Sequence, residues 1–340
     1  LKVVVVEPDA QRALRIRENL DRAGMYGSRV AVIVSEFDKL PFGPYLANLV
    51  TSDDMLRTGE FPGPIADVDR VTCPAGGVVY LGCWNGVDGA TLSEEAIDRW
   101  IGDADLSPGK SEIDRRGGIF YVRKRGRLPG GGDWTHQYAS PENSSCSQDE
   151  LVRGDLSVLW WGNPGPRPMP DRGPRNPAPV AAEGRLYIQG DRTLFGLDQY
   201  NGAILWTKQI PTMRRANVPR DGSNMVASYD YLYVAMGDAC VAFEGNTGRR
   251  EIDFHVEPAA GDEPRDWGYL ACVGDRLVGT TVKPGSHYKG DLGEWYEDYR
   301  PEDVTRVTSD RLFVIDRYLG EEKWRYERGA IMNSTLTVSD

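Results

Sequence analysis

A short pattern that returns twice constrains this chain more than any other feature. Residues 194–206 read Leu-Phe-Gly-Leu-Asp-Gln-Tyr-Asn-Gly-Ala-Ile-Leu-Trp, residues 240–252 Cys-Val-Ala-Phe-Glu-Gly-Asn-Thr-Gly-Arg-Arg-Glu-Ile, and residues 312–324 Leu-Phe-Val-Ile-Asp-Arg-Tyr-Leu-Gly-Glu-Glu-Lys-Trp. In each copy an acid (Asp198, Glu244, Asp316) stands four residues before a glycine (Gly202, Gly248, Gly320), and Trp206, Ile252 or Trp324 stands four residues after it. An apolar run, a turn with Asn or Gly, and a returning run spell strand, turn, strand. Another strand pair precedes each copy: 178–181 with 185–190, 225–228 with 232–237, and 268–273 with 276–281. Each unit is therefore expected as a four-stranded meander, and a recurring meander of this size describes a propeller blade. Blades are expected over 177–206, 223–254 and 267–325, with the start of another at 330.

The copy at 195–206, Thr247 with Gly248, and Asp316 with Gly320 and Trp324 resemble the tryptophan-docking motif of quinoprotein (PQQ-repeat) propellers, small-x-Asp-x-x-Thr-Gly-x-x-x-Trp. The resemblance covers residues 134–340. It implies an all-β propeller of about eight blades in the intact protein, three to four of them in this chain, with each outer-strand Trp packed between neighbouring blades. Ile252 departs from the pattern, so one docking contact is expected to be aliphatic. Residues 157–160, Ser-Val-Leu-Trp, resemble one more outer strand, ending in Trp160. The family holds PQQ-dependent dehydrogenases and non-catalytic scaffolds alike, so the resemblance speaks to fold before chemistry. PQQ is a cofactor it allows, but the adjacent-cysteine pair common in those enzymes is absent and no site residue supports it.

Residues 1–125 alternate strand and helix: strand 2–6, helix 9–23 ended by Gly24, strands 29–34, 47–51 and 77–81, helix 93–101, and a closing strand 118–124. That order predicts a doubly wound, Rossmann-like α/β sheet, whose ligands bind beyond the carboxyl ends of the strands. Glu7 follows the first strand, 35–42 (Ser-Glu-Phe-Asp-Lys-Leu-Pro-Phe) the second, Ser52-Asp53-Asp54 the third, and Pro74-Ala-Gly-Gly77 precedes the fourth. Together these resemble a class I S-adenosylmethionine-dependent methyltransferase entered at its second strand. The resemblance implies that Glu7 holds the cofactor ribose and that Glu36, with Phe37 beside it, lies near the adenine. The family's glycine-rich loop after its first strand is missing, so this half is expected to bind S-adenosylmethionine poorly; the cofactor belongs to the intact protein. Asp53 and Asp54 are candidates for orienting an acceptor nucleophile, set against a solvated acidic loop. The plainer reading of Glu7 and Asp9 is that they cap the next helix.

Residues 126–155, opening at the end of a basic run (Arg125, Arg127) that gives way to Pro129-Gly-Gly-Gly132, are expected as a linker, and the polar stretch after Asp133 is expected to cross a propeller face. The partial propeller then occupies 156–340. Its long connections, 162–177, 207–224, 255–267 and 282–309, all fall at one end of the blades. Arg214, Arg215, Arg220, Asp221 and Asn224 in one, and His287 and Trp295 in another, are the candidate ligand face, for a small molecule or a protein. The competing reading pairs these arginines with local acids and makes the aromatics a seal.

Net charge −11 argues against a nucleic-acid partner, and no apolar run approaches the ~18 residues of a membrane span. The five cysteines and three histidines show no metal-site spacing, so no metal is expected. The chain opens without Met and stops where a blade should turn, and is read as a fragment whose targeting signals lie elsewhere. The compartment stays open between bacterial cytoplasm and periplasm. Three functions are consistent with the sequence. They are a binding-scaffold propeller beside a degenerate methyltransferase-like domain, an active methyltransferase whose propeller recognises the substrate, and, last, a PQQ-dependent dehydrogenase. An open arc of blades is expected to self-associate.

Overall fold

The computed structural model describes residues 1–87, 92–162, 178–190, 192–211, 224–258, 263–284, 287–288, 305–306 and 308–339. The chain divides into two compact units, 1–129 and 130–340. It is mostly β-sheet with few helices.

In the first unit the β-branched run Val3–Glu7 forms β1. Asp9 caps α1 (Ala10–Arg22), its Oδ1 accepting the backbone N–H of Gln11 at 2.7 Å and of Arg12 at 3.0 Å. The chain returns as β2 (Val30–Val34), parallel to β1 with Val3 opposite Val30 and Glu7 opposite Val34. There follow β3 (Leu49–Val50), α2 (Asp53–Thr58), α3 (Ile65–Val71), β4 (Val78–Trp84), α4 (Glu94–Ile101), β5 (Gly109–Asp114) and β6 (Gly118–Arg125).

The single sheet expected here is present as two. One is the pair β1-β2; the other runs β3-β4-β6-β5, with β3 parallel to β4 and β6 antiparallel to both its neighbours. No described strand pairs with both sheets to join them. The third strand is shorter than expected, because only Leu49 and Val50 reach β4, and the fourth runs on to Trp84. Asp53 and Asp54 sit in the first turn of α2, capped by the Ser52 hydroxyl, rather than in a loop. Helices this short give no periodic signal over the window such patterns need, which is why α2 and α3 were not foreseen. Met55, Ile65, Val68, Val79, Leu81, Ile97 and Tyr121 form the unit's core.

The second unit is built from three antiparallel meanders. The first is β7 (Val180–Ala182), β8 (Arg185–Gly190), β9 (Thr193–Asp198) and β10 (Ile204–Gln209). The second is β11 (Met225–Ala227), β12 (Tyr231–Met236), β13 (Ala239–Glu244) and β14 (Arg250–His255). The third joins β15 (Trp267–Val273) and β16 (Arg276–Val282), then, past the short pair β17 (His287–Tyr288) and β18 (Thr305–Arg306), β19 (Thr308–Asp316) and β20 (Glu322–Tyr326). The strand pairs expected from sequence are all present. Where the start of another unit was expected at 330, β21 (Ile331–Met332) instead pairs with β19 and extends the third sheet.

Strand alternation explains how one sheet serves two boundaries. Met225, Leu232, Val234, Val241 and Phe243 face the first meander, packing with Val180, Tyr187, Leu194 and Trp206. Val226, Tyr233, Cys240 and Phe254, on the opposite face, pack with Trp267, Leu270, Leu277 and Phe313 of the third. The last strand of every meander also carries an irregularity in one place: between Ile204 and Trp206, between Arg250 and Ile252, and between Glu322 and Trp324. A bulge there turns the residue that follows it out of the simple alternation.

Of the polar stretch 133–156, expected to cross a propeller face, residues 134–136 pass from the first strand of one meander to that of the next. Trp134 exchanges both backbone hydrogen bonds with Ala181, the Thr135 carbonyl accepts the Ala227 N–H at 2.9 Å, and His136 Nε2 accepts the Cys272 N–H at 3.1 Å. Three consecutive residues thus fasten β7, β11 and β15. Further on, the Pro141 carbonyl accepts the Val338 N–H, and Asn143 Nδ2 donates to the Leu336 carbonyl.

Candidate functional site

The residues singled out in the first unit meet in an ionic cluster. Glu7 is buried, its Oε1 accepting the Asp9 N–H at 3.0 Å and its Oε2 lying 3.1 Å from Arg12 Nε. Arg12 Nη2 reaches Asp54 Oδ1 at 3.2 Å, and Arg57 pairs with Asp53 at 2.9 Å and with Asp54 at 3.4 Å. The Asp54 carboxylate, and then Glu7, hold the Arg12 guanidinium more firmly protonated than usual. The Asp9 carboxyl is depressed by the N–H groups of Arg12 and Gln11. Glu7 and Asp54 are therefore brought together through Arg12, and Asp53 joins them through Arg57. Glu36 is exposed and takes no part in these pairs, and Phe37 beside it is half-buried.

This geometry tests the fit to a nucleoside cofactor. A ribose diol would need both oxygens of Glu7; each already accepts once, one from the backbone that starts α1 and one from Arg12, and the side chain is buried, so a diol would have to share or displace those partners. As placed, Glu7 serves α1 and Arg12 from a buried position rather than lining an open ribose site.

Of the long-loop candidates in the second unit, Arg214, Arg215, Arg220, Asp221 and Trp295 lie outside the described residues, and of His287 only the backbone, in β17, is described. Asn224 is described and buried. Its Nδ2 donates to Gln189 Oε1 at 2.8 Å, tying the second meander to the first, so it does not present itself to a ligand. Among the described residues no group of acids, histidines and cysteines could hold a metal ion.

The repeated motif is where the structure is most explicit. Asp198 Oδ1 accepts the N–H of Tyr200 at 2.8 Å and of Asn201 at 3.2 Å. Glu244 accepts the N–H of Asn246 at 3.1 Å and of Thr247 at 2.8 Å, and Asp316 Oδ1 accepts those of Tyr318 and Leu319, both at 3.0 Å. In each turn the acid's carbonyl accepts the glycine N–H, and the glycine is left-handed, with φ of 70°, 66° and 74°. The acid-to-glycine spacing is thus the chemistry of the turn itself, with the carboxylate mopping up N–H groups that face no strand.

Onto these turns tryptophans dock. Trp206 Nε1 donates to the Gly245 carbonyl at 2.9 Å, and a Cβ on Gly248 would lie 2.6 Å from its ring. Trp160 does the same one meander earlier, donating to the Gln199 carbonyl at 2.9 Å and lying so close to Gly202 that a Cβ there would meet its ring at 2.3 Å. Residues 157–160, expected as an outer strand, form no strand, but their Trp160 docks as the motif implies. Ile252 does make an aliphatic contact, against the cluster that joins the second and third meanders, but it does not cover the turn glycine: nothing described comes within 4 Å of a Cβ built on Gly320. That cluster holds Tyr233 and Phe254 of its own meander with Phe313 and Ile315 of the third.

Sequence reasoning missed what holds that boundary. Arg317, one residue past the motif acid, is buried, and its Nη1 donates to Asp230 Oδ1 at 2.6 Å, to the Tyr233 hydroxyl at 3.0 Å and to Ser228 Oγ at 3.2 Å, with its guanidinium 4.3 Å from the Tyr318 ring centre. His136 was also missed: buried among apolar strands, its imidazole is pushed down to about 4 by desolvation. An arginine beside a motif acid is unremarkable in sequence, and a single His in a polar stretch carries no spacing to read.

No family model matches the chain, and no curated protein does. Solved structures with a similar arrangement include the quinohemoprotein alcohol dehydrogenase from Comamonas testosteroni, at 14% identity and TM-score 0.39 over 57% of this chain and 27% of that one. BamB from Moraxella catarrhalis is similar at 17% identity and TM-score 0.25 over 44% of this chain and 50% of its own. A SAM-dependent methyltransferase from Aquifex aeolicus is similar at 17% identity and TM-score 0.29 over 36% of this chain and 68% of its own. This chain thus spans half or less of the length of the dehydrogenase and of BamB. The neighbours include both methyltransferases and quinoprotein-type propellers, as likenesses of fold that say nothing of chemistry.

Proposed function

We propose that the chain is a binding scaffold: a partial PQQ-repeat-like β-propeller whose three meanders are its blades, beside a methyltransferase-like domain that has lost its cofactor chemistry. The observation that carries this reading is the double engagement of Glu7. Its carboxylate starts α1 through Asp9 and anchors Arg12, which is the work of a structural acid. The fastening of β7, β11 and β15 by residues 134–136 supports the other half, since it makes one rigid base for the long connections at the strand ends.

Titration calorimetry with S-adenosylmethionine tests it, using the full-length protein and its Glu7→Ala variant. The scaffold reading expects no saturable heat from either. Micromolar binding that disappears in Glu7→Ala would overturn it in favour of an active methyltransferase with a substrate-recognising propeller. That second reading draws on the strand order β3-β4-β6-β5 with an antiparallel β6, and on Glu7 standing at the carboxyl end of β1.

A further inference from the structure

Three turns of one construction have three different fates. Beyond the acid cap and the left-handed glycine they share a further detail. The residue after each acid donates its N–H back to the first hairpin of its own sheet: Gln199 to the Gly184 carbonyl, Gly245 to that of Asp230, Arg317 to that of Asp275. That bond turns the carbonyl of the same residue outward. In two turns an indole N–H takes it, Trp160 on Gln199 and Trp206 on Gly245. In the third, no partner for the Arg317 carbonyl is found among the described residues, and the Gly320 floor has open space above it. Burial follows suit, for Gly248 is buried and Gly202 half-buried, whereas Gly320 is exposed, with Tyr318 and Leu319 beside it 54% and 68% exposed.

We propose that the turn Asp316 to Gly320 is an indole-binding site, which takes a tryptophan side chain presented by a partner protein on an extended strand. The occupant's chemistry is read from the two filled turns: a flat ring that covers a Cβ-free glycine and one N–H that meets the carbonyl three residues before a left-handed bend. The site is open because position 252, which supplies the ring in the first two cases by its counterparts Trp160 and Trp206, is here an isoleucine. A planar ring fits only where no Cβ stands, so Gly320 serves both the backbone bend and the floor of the site. The exposed rings and aliphatics of Tyr318 and Leu319 would flank the ring, and removing them from water adds to the affinity. The site does not depend on how Glu7 behaves, so its test and that of the scaffold reading fail separately.

N-acetyltryptophanamide is the probe, followed by amide chemical shifts of the protein. The expected result is saturable shifts at Leu319 and Gly320, none at the occupied turns of Gly202 and Gly248, and no comparable effect from N-acetylleucinamide. Ile252→Trp fills the site from within and Gly320→Asn, a residue that tolerates the same backbone, covers its floor; each is expected to weaken probe binding roughly tenfold or more. Because the two variants act on different strands, one remains informative if the other folds poorly. The proposal is overturned if Gly320 does not shift, if the leucine amide binds as well, or if a folded Ile252→Trp protein keeps its affinity. It is also overturned, in favour of self-association, if Gly320 shifts with protein concentration alone and the shift vanishes in Trp324→Ala.

Discussion

The boundary between the first and second meanders and that between the second and third are made from the same backbone and different chemistry. At the first, Trp206 lies across Gly196 of its own sheet and Gly248 of the next, 7% exposed, with its one polar atom satisfied by the Gly245 carbonyl. At the second the aromatic is gone and Arg317 reaches the other way, into Ser228, Asp230 and Tyr233. A repeat fixes where neighbouring units meet, and leaves open whether a ring or an ion pair does the joining. The two solutions differ in what disturbs them. An apolar dock is indifferent to pH and salt, while an ion pair depends on both.

Trp206→Ala should have the largest effect. It deletes a buried ring and leaves the Gly245 carbonyl without its donor, a loss of about 3–5 kcal/mol in a urea unfolding midpoint series. Trp324→Ala, in the same motif position but 50% exposed, should change the midpoint little. Equal effects from the two would mean that docking is not what makes the motif Trp matter.

Acid tests the segment that ties all three meanders together. His136 is held neutral, its folded pKa near 4 against an ordinary value of 6.5, so the unfolded chain binds a proton that the folded one refuses. Stability is then complete above the ordinary value and is lost as pH falls through the window from 6.5 toward 4, in total on the order of 3 kcal/mol. The charged group that faces it, Glu142, acts the other way and only partly. In His136→Asn the dependence over that window should flatten. The ionic boundary responds lower still. Burial works to raise the Asp230 pKa, but its bonds to Arg317 and Ser228 leave it below the ordinary value of 3.8, so its contribution persists above that value and fades only beneath it. Unfolding midpoints between pH 7 and pH 3 would separate the two steps.

Arg317→Met asks how much the ion pair itself holds. Breaking a buried pair costs about 3–5 kcal/mol, but Asp230 keeps 29% of its side chain in water, so roughly 2 kcal/mol is the expected loss. The deficit should shrink when wild type and variant are compared in high salt. No such shrinkage is expected for Trp206→Ala.

Much of this was legible in the sequence, and for identifiable reasons. A turn whose acid, glycine and tryptophan keep fixed spacing writes its own hydrogen bonds into the chain, so the three meanders and the docking of Trp160 could be read directly. The strand that starts at Val3 and the helix capped by Asp9 were equally plain, since β-branched runs and caps are local signals. What stayed hidden is long-range pairing. That Arg12 joins Glu7 to Asp54, that Arg317 crosses to Asp230, and that residues 134–136 lie along three first strands are matters of which distant segments meet. No spacing within the chain encodes them. Ile252 was seen to break the motif, but its consequence, an uncovered Gly320, needed coordinates.

Ile252→Trp sharpens the comparison from the other side, by asking whether the second boundary can be given the first one's chemistry. The new ring would have Gly320 as its floor and the Arg317 carbonyl as its acceptor, both already in the conformation that Gly248 and Gly245 show. One added hydrogen bond and a partly covered ring argue for a gain of about 1 kcal/mol, visible as a raised urea midpoint. The gain should survive in the Arg317→Met background, because a backbone carbonyl does not depend on the side chain it belongs to. If instead the gain disappears there, the guanidinium and not the turn shapes the gap, and the two boundaries are less alike than their hydrogen bonds suggest.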